Sequence, residues 1–247
     1  MDRHVRSATG SGFRCWEHHR HSKHEHVTGR PVLLGGQSYL AKGITVRESE
    51  RLYHLLRSYD DSDQSLSEFN AVWCEGLSTT EVARRLHADV ATARPAMFRN
   101  WGSGSDGSGE WDSGILVGSS GTWIVVFGDH RCVSDTALTA LSRGGGRAVA
   151  IRWNGAELLK YAVDGEMKVT INIVATQYRT GSDPTLLDRH MGGLRFDIGG
   201  PDNADPVDPR ESFTSALVVI GRITGQEINK EWLDEPHVGY IVPADPR

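Results

Sequence analysis

Residues 111–196 hold a succession of short apolar runs cut by glycine pairs. Runs of that length, rich in β-branched and aromatic residues, are too short for buried helices and need a sheet to satisfy their backbone. They read Gly114-Ile115-Leu116-Val117-Gly118, then Trp123-Ile124-Val125-Val126-Phe127, then Ala148-Val149-Ala150-Ile151-Arg152-Trp153. Gly118-Ser119-Ser120-Gly121 between the first two predicts an antiparallel hairpin. Residues 157–163 and 166–173 alternate apolar and polar about Asp164-Gly165, a two-residue hairpin signal. That alternation puts Leu159, Tyr161 and Val163 on one face, with Val169, Ile171 and Ile173 across from them.

Helical spacing frames this region. Leu52, Leu55, Leu56 and Tyr59 form one stripe over 45–59. Ser65 with Glu68 reads as a capping box opening a helix over 66–75, with Leu66, Phe69, Val72 and Trp73 on its face. Ser78 with Glu81 opens another, burying Val82 and Leu86. Ser134 caps a short helix carrying Ala137, Leu138 and Leu141. Asp183-Pro184 starts a helix with Leu186, Leu187 and Met191. Residues 211–224 carry Phe213, Ala216, Leu217, Val219, Ile220 and Ile223 over a wide arc, so that helix is expected to be well buried and to end at Gly225. A short helix over 226–233 and a strand over 237–242 complete the chain. The expected fold is α+β: an antiparallel sheet of about five or six strands, packed by N-terminal and C-terminal helices. Residues 45–247 are read as a single domain, and the first 44 residues as a disordered histidine-rich leader.

Composition narrows the function classes. The 247 residues carry a net charge of −5, opposite in sign to the usual nucleic-acid footprint. Cys15, Cys74 and Cys132 are odd in number and scattered, which suits neither a disulfide framework nor a zinc site and fits a cytoplasmic setting. No apolar run approaches the roughly 20 residues of a membrane span. The tract of Cys15, His18, His19, His21, His24 and His26 has ligand chemistry but not the spacing of a finger or an HExxH helix. No metal or other cofactor is expected.

Three functional readings can be set against residues. Residues 66–99 read as a helical pair that a DNA-binding regulator could use, with Arg84, Arg85, Arg94 and Arg99 as its cations; yet His87 stands where the tight turn wants glycine, and Pro95 interrupts the would-be recognition helix. A small hydrolase would draw on Asp129, His130 and Ser134 or Ser142, without a GxSxG elbow. The glycine-rich run at 102–110 has no Lys-Ser/Thr pair and reads as a linker rather than a phosphate cradle. The third reading, a non-enzymatic protein-interaction module, places its contacts on the rim of the sheet. Its candidate binding residues are Trp101 and Trp111, which flank the glycine-serine loop, with Arg143 and Arg147, which bracket the turn before Ala148.

The order of motifs from about residue 66 to 243 resembles an uncharacterised actinobacterial protein family, a domain of unknown function. The resemblance rests on Trp73-Cys74-Glu75-Gly76-Leu77, on Glu81-Val82-Ala83-Arg84-Arg85-Leu86, and on Gly121-Thr122-Trp123. Further along it rests on Leu141-Ser142-Arg143-Gly144, Gly181-Ser182-Asp183-Pro184, Ile223-Thr224-Gly225 and the closing Gly239–Pro243. It implies an α+β domain and brings no activity, cofactor or catalytic residue with it. The expected function is therefore the interaction module, of which an immunity or conflict-system protein is the most concrete form. Its expected partner is another protein, with no role for a membrane and none expected for nucleic acid.

Overall fold

The structure, a computed structural model, describes residues 54–56, 58, 69–100, 114–153, 156–198 and 207–243. Contacts divide the chain into Met1–Leu40 and Ala41–Arg247, and every described residue lies in the second unit. The leader read at 1–44 and the glycine-serine loop at 102–110 fall outside the described residues, as does most of the helix read at 45–59. Of that helix, residues 54–56 are helical, and Leu56 is buried against the core.

Nine strands among the described residues form one sheet. In chain order they are β1 (Phe69–Glu75), β2 (Asp89–Met97), β3 (Gly114–Ser120), β4 (Trp123–Gly128), β5 (Arg147–Trp153), β6 (Leu158–Val163), β7 (Glu166–Asn172), β8 (Arg179–Thr180) and β9 (Pro236–Ile241). Their spatial order is β2-β9-β3-β4-β1-β5-β6-β7-β8, with every pairing antiparallel. The helices are α1 (Thr79–Arg85), α2 (Asp135–Ser142), α3 (Asp188–Met191), α4 (Pro209–Thr224) and α5 (Lys230–Asp234).

The strand count of five or six is thus too low, and the largest correction lies in the residues read as a helix over 66–75. Phe69–Glu75 is a strand, and it is the middle one of the sheet. Both of its faces are covered. Phe69, Ala71 and Trp73 enter one apolar cluster, while Val72 and Cys74 enter the other. A strand buried on both sides loses polar alternation, and Phe69, Val72 and Trp73 then mimic a helical stripe. The helical pair at 66–99 does not exist either: between β1 and the β2 strand at Asp89–Met97 only α1 is helical. The turn after α1 forms without glycine, because His87 itself adopts the left-handed conformation at φ 58°. The amide of Ala88 then closes back on the Ala83 carbonyl at 2.8 Å.

Two layers of helix sandwich the sheet. On one face α1 and α2 bury Val82, Ala83, Leu138 and Leu141 against Val72, Val117, Val126 and Ala150. On the other, α4 and α5 bury Phe213, Val219, Ile220 and Leu233 against Phe69, Val125, Val149 and Ile171. Edge-to-face aromatics stitch that second layer, with Phe213 5.4 Å from Phe69 and 5.0 Å from Trp153, and Phe69 5.5 Å from Phe127. α4 is delimited as its sequence suggests. Asp208 accepts from the Arg210 amide at its start, Pro209 occupies the first turn, and Gly225 at φ 66° ends it. The Asp183-Pro184 helix begins later than read, as turns leading into the four-residue α3.

The two hairpins read from sequence are present. β3 and β4 meet at Ser120↔Trp123, so the turn is Gly121-Thr122, at the end of the glycine-serine spacer. β6 and β7 turn at Asp164-Gly165, both with positive φ, and pair Leu159 with Ile171 and Tyr161 with Val169 as the alternation requires. The C-terminal strand β9 slots between β2 and β3, and Gly118 is what lets it close. His237 and Trp232 stack at 3.8 Å over Gly118, with His237 Nε2 2.7 Å from the Trp232 carbonyl and Trp232 Nε1 donating to Ser119 O at 2.8 Å. A methyl group on Gly118 would stand 2.6 Å from the Trp232 ring and closer still to His237 Nδ1. Gly118→Ala is therefore expected to destabilise the protein by about 1–3 kcal/mol through overpacking, read as a lower urea midpoint with an unchanged slope.

Candidate functional site

The rim at which β1 ends and β5 begins gathers the charged residues nearest to the predicted site. Register places Trp123, Glu75 and Arg147 side by side, since Glu75 lies opposite Trp123 on β4 and Cys74 lies opposite Ala148 on β5. The Arg147 guanidinium makes a two-bond fork with the Glu75 carboxylate, Nε to Oε2 and Nη2 to Oε1, each at 2.7 Å. It also lies 5.0 Å from the Trp123 ring centre. Both charged side chains remain about one-third exposed, at 37% and 31%, whereas Trp123 and Tyr161 beside them are buried. Hydrogen bonds from Arg147 hold the Glu75 carboxyl below its ordinary range, and Glu75 in turn raises the Arg147 pKa.

Next to this pair the Arg143-Gly144-Gly145-Gly146-Arg147 turn is braced from two sides. Gly144 and Gly145 take positive φ of 84° and 82°, a conformation suited to glycine, and both amides donate to Asp164 Oδ1, at 3.2 and 2.8 Å. The Asp164 amide returns a bond to Gly146 O at 2.9 Å, and the Gly165 amide donates to Ser142 Oγ at 3.1 Å. From the opposite side Arg85 Nη1 reaches the last carbonyls of α2, at 3.0 Å to Ala140 O and 3.1 Å to Arg143 O. These bonds satisfy a helix end that has no internal partners. The turn is exposed and yet fixed in shape.

Arg143 and Arg147 thus sit on one braced rim. Trp101 and Trp111 lie outside the described residues. Arg85, grouped with the DNA-reading cations, is held by Glu81 at 2.9 Å and by the end of α2, and Arg84 pairs with Glu81 at 3.5 Å. The residues proposed for a hydrolase serve local structure. Asp129 binds Arg131 at 2.7 Å, Ser134 Oγ caps α2 through the Ala137 amide at 3.2 Å, and Ser142 closes the hairpin turn. His130 is exposed, and among the described residues no hydrogen bond joins it to Asp129, Ser134 or Ser142. The Cys74 thiol is fully buried and pushed up to about 12 by that burial, so it is inert as a nucleophile.

The family model for DUF6461, a family of unknown function, matches residues 61–244. The chain belongs to that family. The resemblance read over 66–243 holds, and the DUF6461 region runs from before β1 to beyond β9, so the whole sheet lies inside it. No curated protein matches the chain, and no solved structure does.

Two sets of residues in the DUF6461 region escape a reading by motif. Glu75, the partner of Arg147, was hidden by the helical reading of 66–75. The second set is a group of polar residues on the α2 face of the sheet, Asn70, Arg152 and Asn172 in one cross-strand row and Lys160 in the next, which only strand register brings together. The signal available in sequence was the charge of Arg152 and Lys160 inside otherwise apolar strands. The Glu75 geometry has a pH consequence. Its folded pKa is depressed below 4.5, so the unfolded chain takes up a proton first as pH falls. The stability it confers is complete above that value and drains as pH drops through the folded pKa. Glu75→Gln is expected to flatten part of the loss of stability below pH 4.5 seen in urea melts of the wild type, and an unchanged acid profile would contradict the assignment.

Proposed function

We propose that this DUF6461 chain is a non-enzymatic protein-interaction module, and that its contact surface is the rim carrying Arg143, the three-glycine turn and the Glu75–Arg147 pair. The observation behind this reading is that an exposed turn is held rigid by bonds from Asp164, Ser142 and Arg85. A surface already fixed in its bound shape loses less entropy on association. The Arg147 guanidinium, oriented by Glu75 and Trp123, offers an anchor of the kind enriched at interface hot spots.

The partner is a protein in the cytoplasm, and an immunity or conflict-system partner is the most concrete version. What supports that version is the acidic net charge of −5 in a chain with no catalytic motif. Arg143→Glu reverses an exposed charge while leaving the Asp164 and Arg85 braces, which use backbone atoms of the turn, in place. Tagged wild-type protein is expected to recover a specific partner from the source organism's lysate, with recovery falling at least tenfold for Arg143→Glu at unchanged circular dichroism. A partner retained equally by both proteins, or none above background, would refute the rim as the contact surface.

A further inference from the structure

We propose a second site, separate from the rim: a pocket of charge for a small oxyanion, a carboxylate or a phosphate, on the α2 face of the sheet and centred on Arg152. The face is apolar wherever α1 and α2 cover it, through Val72, Cys74, Ala148, Ala150 and Ala162. One row nearer the end at which β1 begins, its character changes. Asn70 lies opposite Arg152, Arg152 opposite Leu158, and Leu158 opposite Asn172. In the adjoining row Lys160 lies between Ala150 and Thr170. Directly opposed residues of a sheet share a face, and diagonal neighbours stand roughly 7–8 Å apart. Arg152 and Lys160 are such diagonal neighbours, close enough for one anion to engage both.

A solvated sheet face would explain polar residues but not their burial. Asn70 is 4% exposed and Lys160 9% exposed. Lys160 is fixed by Asp135 at the start of α2, its Nζ 2.7 Å from Oδ1, which engages one of the three donors of an ammonium. Arg152, half-buried beside it, makes no hydrogen bond and no ion pair among the described residues. A guanidinium withdrawn from water without a counter-charge is disfavoured, and it is where an anion is most readily accepted. The carboxylate of Asp135, which reaches this face from α2, is already engaged by Lys160. The guanidinium presents five donors in a planar fork that matches the paired oxygens of a carboxylate or a phosphate. Asn70, Thr170 and Asn172 line the same face with neutral hydrogen-bonding groups, which suits a ligand whose remainder is polar.

The test uses the full chain with inorganic phosphate and with acetate, each titrated against sodium chloride at matched ionic strength. The readouts are thermal unfolding and the ¹⁵N NMR resonance of the Arg152 Nε–H. Wild-type protein is expected to show a saturable rise in Tm and a saturable shift of that resonance with at least one of the two probes, beyond any effect of chloride. Saturation by phosphate alone identifies a phosphate ligand, and saturation by acetate identifies a carboxylate. Arg152→Met, which keeps the aliphatic stem, is expected to weaken the response at least tenfold, whereas Arg143→Met on the rim leaves it unchanged. A wild-type response no greater than that to chloride overturns the proposal, even if the Arg152 variant fails to fold. So does an equal response from wild type and a folded Arg152→Met protein.

Discussion

Burial of the central strand on both faces is the constraint on which the remainder of this structure depends. β1 has four strands on each side and a helical layer above and below. Its backbone bonds are met by β4 and β5, and its side chains by two separate apolar clusters. The helices are therefore placed by the sheet's need for cover on both sides rather than by their own stability, since α1 and α2 are too short to persist alone. Polar ties add to the apolar contacts that hold those short helices in place. Arg85 ties α1 to the end of α2, and Lys160 ties the start of α2 to β6. On the other face the longer α4 is buried along nearly all of its length and is tied as well, by Ser212 Oγ to Ile173 O and by Arg222 to the carbonyls of His190 and Gly192.

Many polar side chains among the described residues serve local structure. Serines cap helices and turns, Asp164 organises glycine amides, and Asp129 holds Arg131. Membership of DUF6461 places the whole sheet within one family region, so these braces belong to the family's domain rather than to an appendage. Among the described residues, the Glu75–Arg147 pair stays about one-third exposed, while Arg152 is half-buried with no hydrogen bond and no ion pair. They lie at opposite ends of the strands, because β1 finishes at Glu75 and begins at Phe69 beside Asn70. The proposed contact surface and the proposed anion site therefore stand apart, one at each end of the strands.

How legible all this was depended on whether local patterns and tertiary burial agreed. The β6–β7 hairpin was legible because Asp164-Gly165 dictates its turn and one-residue alternation its faces. The caps at Ser78, Ser134 and Gly225 were legible because capping is a local matter. Phe69–Glu75 was misread because two-sided burial erases alternation, and a seven-residue apolar strand then imitates a helix. Asp89–Met97 was misread because its partner, β9, lies about 140 residues later. The site divides along the same line. Arg143 and Arg147 stand out beside their glycines, but Glu75 and the Arg152 row exist as neighbours only through the registers of β1, β5 and β6.

The direct test of the central claim is amide hydrogen exchange across 69–75 in the native protein. A central strand covered on both faces exchanges only when the whole domain opens. The amides of Ala71 to Cys74 are therefore expected to exchange with the slowest class in the molecule, at a rate set by global unfolding and together with those of Val125 and Val149. Exchange of that segment at the faster rate of α1, independently of global stability, would contradict the placement of β1 at the heart of the sheet.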